Sequence, residues 1–194
     1  FDIFSKYKNL QPYTTSSNSK MIVWGNSIKN DVISIGGPEN NVISLGSPVH
    51  DSYFSSKINS ENTKKILLVV SDIFGNNFNG SHTLAYKKLE QFAEKLITVI
   101  KKLNYTPIIK FRPSQSYYDL KPFIEKLDKN LISYTTEDIK NLIIDSDFVI
   151  SLNFSTVILD AMILHKPTIT ILPEDQEYEQ TPLLQSDSTI SISE

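Results

Sequence analysis

The chain contains no cysteine, so disulfide frameworks, thiolate metal sites and cysteine nucleophiles are all excluded. Histidine is nearly as scarce. His50, His82 and His165 stand far apart, and no two have metal-ligand spacing. No apolar run approaches the roughly 20 residues needed to span a bilayer. An excess of one charge is lacking too: a net charge of -3 gives no long-range attraction to nucleic acid or to an acidic membrane. The lysines fall in scattered pairs, Lys64-Lys65, Lys87-Lys88 and Lys101-Lys102, as on solvated faces. Neither a nucleic-acid partner nor a bound metal is expected. No secretion signal is seen. The first residue is Phe, and the last residues, from Ser188, form a β-like run. Both ends look cut, which predicts a fragment of a longer protein.

What is present is an ordinary globular composition over 194 residues, enough for one domain or one domain with part of another. The first 60 residues read as the tail of a preceding domain and a linker. Met21 to Trp24 is a candidate strand. A local echo follows, Val32-Ile33-Ser34-Ile35-Gly36 and then Val42-Ile43-Ser44-Leu45-Gly46, each copy a candidate short strand ended by a Gly turn. Ser55 to Lys64 is the best candidate linker.

From about residue 61 the pattern changes. Ile66–Val70 is a continuous apolar run, as in a strand buried on both faces. Thr83 to Leu103 has helical spacing, with Leu89, Phe92, Ala93, Leu96, Ile100 and Leu103 on one face. Further strands are expected at Thr106–Phe111, Leu131–Tyr134, Phe148–Leu152 and Thr168–Leu172. Helices are expected at Tyr117–Lys126, after Thr135-Thr136-Glu137-Asp138, and at Thr156–Leu164. Strands alternating with helices predict an α/β, Rossmann-like parallel sheet in three αβα layers, with strand order 3-2-1-4-5. Ligands of such sheets bind beyond the carboxyl ends of the strands.

The loops at those ends hold the candidate site residues. Asn153-Phe154-Ser155-Thr156 puts hydroxyls where a helix should start, and unpaired N–H groups there attract anions. Asp160 follows one turn later in an apolar helix, where a carboxylate is expected to be buried and to need a partner. Arg112 directly follows a strand. Ser71, Asp72 and Gly75 open the loop after the first strand, and Tyr134 and Thr135 close the third. A plain helix cap, a surface salt bridge and ordinary turns are the competing readings. His82 and His50 are weaker candidates, and His165 reads as structural.

Three segments resemble the carboxyl-terminal half of a GT-B fold protein: Val42-Ile43-Ser44-Leu45-Gly46-Ser47-Pro48-Val49-His50-Asp51, Ile109-Lys110-Phe111-Arg112-Pro113, and the series Asp147 to Ser151, Ser155-Thr156, Asp160-Ala161 and Lys166-Pro167. The pattern is similar to surface-polysaccharide glycosyltransferases, CDP-glycerol glycerophosphotransferases and UDP-N-acetylglucosamine 2-epimerases. Arg112 stands where that family has His, and Asp160 where it has Glu. The turn lacks the family's glycines.

The resemblance implies a nucleotide-sugar or CDP-glycerol donor, a carbohydrate or lipid-linked acceptor, and a cytoplasmic place at the inner membrane face. It implies metal-independent transfer, with no cofactor besides the donor and the catalytic base outside this chain. A hydrolysing sugar-nucleotide 2-epimerase is the runner-up, although its histidine-rich constellation is not found. A non-catalytic nucleotide-binding or structural module is the third reading. A response-regulator-like domain would want an acidic cluster, and Asp72 alone is suitably placed.

Overall fold

The computed structural model describes residues 18–56, 62–70, 82–111, 122, 126–128, 130–134, 136–152, 155–172 and 189–193, with the backbone alone at 82–89, 172, 191 and 193. The chain divides into two compact units, Phe1–Ser55 and Ser56–Glu194.

In the first unit, β1 (Met21–Val23) and β2 (Val42–Ser44) pair in parallel, with Met21 opposite Val42. Helix α1 (Asn26–Ser34) connects them, followed by a 3-10 turn at Glu39–Asn41. Val23, Val32 and Val42 form the small core. Helix α2 (Pro48–Phe54) closes the unit, with Pro in its first turn, where a missing N–H costs nothing. The echoed segments do not share a conformation. The second copy is β2, but Val32, Ile33 and Ser34 end α1 instead of forming a strand. The difference lies in what precedes them: Asn26 to Asp31 supplies helical turns to the first copy, whereas Pro38 and the 3-10 turn lead into the second.

The second unit is a six-stranded, wholly parallel sheet. Its strands are β3 (Lys65–Val70), β4 (Thr106–Phe111), β5 (Ile132–Tyr134), β6 (Phe148–Leu152), β7 (Thr168–Leu172) and β8 (Thr189–Ser193). The order is β5-β4-β3-β6-β7-β8. The five strands expected from sequence are present in the expected order, and the β-like run near the end of the chain adds a sixth at the edge. Leu67, Leu68, Ile109 and Val149 are fully buried in the central strands. Each contributes about 1.5–3 kcal/mol by leaving water, which explains why these strands are apolar without alternation.

Helix α3 (His82–Lys102) covers one face of this sheet. Ala93, Ile97 and Ile100 are buried, and Phe92 and Leu96 are partly so, against Leu68, Ile109 and Ile150. Leu103, expected on the buried stripe, is 61% exposed because the helix ends one residue before it, and Ile97 takes part in the core instead. Helices α4 (Ile139–Ile144) and α5 (Val157–Ile163) follow β5 and β6. Right-handed crossovers toward β6 and β7 place them on the opposite face, giving three αβα layers. The helix expected at Tyr117–Lys126 lies largely outside the described residues.

Three helices stop the same way. A residue in the left-handed region follows the C-cap, its N–H bonds the carbonyl three residues back, and the next N–H reaches five back. Gly36 (φ 100), Asn104 (φ 59) and His165 (φ 52) hold that position after α1, α3 and α5. The stop after α1 also needs Gly37, where an added Cβ would lie 2.7 Å from Val32.

Candidate functional site

The strand order reverses between β3 and β6, which makes the carboxyl edge there a topological switch point. From β3 the chain proceeds to β4 on one side, and from β6 to β7 on the other, with crossovers on opposite faces. The register brings the strand ends level: Val70 lies opposite both Phe111 and Leu152, and Lys110 opposite Tyr134. The ends of β4 and β6 are thus two strand spacings apart, about 10 Å.

Of the expected site residues, Ser71, Asp72, Gly75, Arg112, Thr135 and Asn153 lie outside the described residues. The strand ends nevertheless fix where the chain enters their loops. Tyr134 ends β5 and is half-buried. Ser155 and Thr156 precede α5, which begins at Val157. The Ser155 hydroxyl accepts the Val157 N–H at 3.4 Å, a weak cap, and Thr156 is exposed without a side-chain cap bond. Asp160, expected to be buried, is half-buried in the first turn of α5. The Thr-Thr-Glu-Asp start before α4 is capped by its last member: Asp138 Oδ1 accepts the Lys140 N–H at 2.9 Å.

The sequence reading passed over three buried polar residues just behind this edge. Lys110 is 8% exposed, Ser151 1% and Thr170 0%. Alternation along the strands puts them on the sheet face opposite α3, in one row that crosses Val69. The available signal was a polar side chain inside an otherwise apolar run. Burial holds the Lys110 ammonium below its usual pKa, while the carboxylates of Glu137 and then Asp138 oppose that shift.

At the amino edge, on the other side of the sheet, Asp147 fastens the chain leading into β3. Its carboxylate accepts the Thr63 N–H and hydroxyl and the Lys64 N–H. Burial alone would raise its pKa, but these bonds and the Lys166 charge hold it below the ordinary Asp range. The clamp explains why Lys64 takes a positive φ of 54°.

The histidines divide. His50 is buried in the first unit, its Nδ1 2.8 Å from Ser47 Oγ and its ring edge-on to Trp24 and Tyr53, a packing role. His165 is exposed at the α5 stop. His82 begins α3, with its side chain outside the described residues. Among the described residues, no three His, Asp or Glu side chains gather as metal ligands. No helix among them is long and apolar enough to cross a membrane.

No protein-family model and no curated protein sequence matches this chain. Solved structures do match it in fold. The UDP-GlcNAc 2-epimerase from Neisseria meningitidis bound to UDP-GlcNAc superposes with a TM-score of 0.50 at 16% identity, over 85% of this chain and 46% of that one. The wall teichoic acid polymerase TagF in a CDPG soak gives 0.43 at 15% identity, over 79% of this chain and 38% of that one. Anabaena Alr3699/HepE in complex with UDP-glucose gives 0.38 at 16%, over 79% and 44%. The chain therefore spans less than half the length of each. The epimerase likeness shows the fold: the Rossmann-like α/β architecture of GT-B proteins.

Proposed function

We propose that this chain is the donor-binding part of a glycosyltransferase-like protein that builds a surface carbohydrate, and that it binds a nucleotide-diphosphate sugar or CDP-glycerol at the carboxyl edge of the sheet. The observation that carries this reading is the switch point: β3 and β6 are neighbours, their ends are level at Val70 and Leu152, and their crossovers leave on opposite faces. A switch point of that kind is where open parallel sheets hold nucleotides. The fold shared with a solved protein bound to UDP-GlcNAc supports the donor class.

The residues would divide the work by chemistry. Arg112, one residue past the end of β4, supplies a permanent forked cation for the diphosphate. Ser155 and Thr156 supply hydroxyls across the switch point. Tyr134, at the end of β5, and Thr135, next in sequence, would serve the nucleoside. During transfer, negative charge grows on the departing nucleoside diphosphate, and preorganised donors around it lower the barrier. The base that activates the acceptor would come from outside this chain.

Titration of UDP, CDP, GDP and ADP, with backbone amide resonances followed by NMR, tests the reading. Shifts confined to the ends of β3, β4, β5 and β6 and their loops are expected. Failure of all four to bind at millimolar concentration would overturn it and favour a structural module.

A further inference from the structure

We draw no further inference here: the strongest candidate, the apolar surface patch on the first unit at Ile22 of β1 and at the exposed Trp24 and Leu45 just past the ends of β1 and β2, is an unpartnered face, and nothing in the structure shows what covers it.

Discussion

Asp147 Oδ1 accepts two hydrogen bonds from Thr63, one from its N–H at 2.9 Å and one from its Oγ1 at 3.0 Å, across 84 residues of sequence. The other carboxylate oxygen takes the Lys64 N–H at 2.9 Å. One side chain at the start of β6 thus fixes where β3 begins, and with it the register of the two strands that flank the switch point.

Asp147→Ala should lower stability by about 1–3 kcal/mol, the range for losing hydrogen bonds to a charged acceptor. The lower half of that range is expected because the group is half-buried. The pH dependence has a definite sign. The folded pKa is depressed, so the contribution is complete above the ordinary Asp value of about 3.9 and is lost as pH falls through the lower folded value. Urea melts of parent and variant should therefore differ at neutral pH and converge in acid. Equal stability at neutral pH would show that the clamp is dispensable.

The sheet was legible because its signal is dense. Runs such as Ile66–Val70 leave no polar face, and the helical spacing of Phe92, Ala93, Leu96 and Ile100 returns every turn. The misreadings fall where local signals are short. Val32-Ile33-Ser34 and Val42-Ile43-Ser44 are the same letters in opposite conformations, because three residues do not outweigh the chain before them. Leu103 continued the apolar stripe on paper, but the stop at Asn104 put it outside the helix. Around the site, Ser155 and Thr156 were visible as a helix start, whereas Lys110 was not visible as a site residue. Its burial depends on elements far away in sequence, and no local pattern reports that.

The left-handed stops can be tested one residue at a time. His165 is exposed, so replacing it removes little packing. His165→Gly should stabilise by about 0.5–1 kcal/mol, the strain of an L-residue at positive φ less the added freedom of glycine in the unfolded chain. Gly36→Ala should do the reverse by about 1 kcal/mol, since φ is 100° there. Thermal melts of both variants check the pair, and matching signs would contradict the assignment of these stops.

Lys110 carries a pH signature of its own. Its folded pKa is lowered, so between that value and the unfolded value of about 10.4 the unfolded chain binds more protons. Native stability contributed by this residue therefore rises with pH across that window. Lys110→Met lacks the rise. Its advantage over the parent should be largest near neutral pH and shrink as pH approaches about 10. A constant difference in urea midpoint across the range would mean that the ammonium is not desolvated in the folded state.

The last prediction separates the two sides of the proposed diphosphate site. Arg112→Ala should weaken UDP or CDP binding by about 1.5–3 kcal/mol, the range for a hydrogen bond to a charged group. Arg112→Lys should recover only part of the loss, because an ammonium keeps the charge but not the planar fork. Ser155→Ala should cost less, about 0.5–1 kcal/mol, since a neutral hydroxyl makes a weaker bond. That hydroxyl is also engaged at 3.4 Å by the Val157 N–H, so a ligand would be gaining a better partner for it and not its first. The order of the three losses is the informative result. Alanine at 112 hurting most, lysine less and alanine at 155 least fits a diphosphate held chiefly by a guanidinium. If the nucleotides bind and neither Arg112→Ala nor Ser155→Ala changes affinity, the ligand occupies another part of the chain, and the carboxyl-edge site is wrong even though the fold is right.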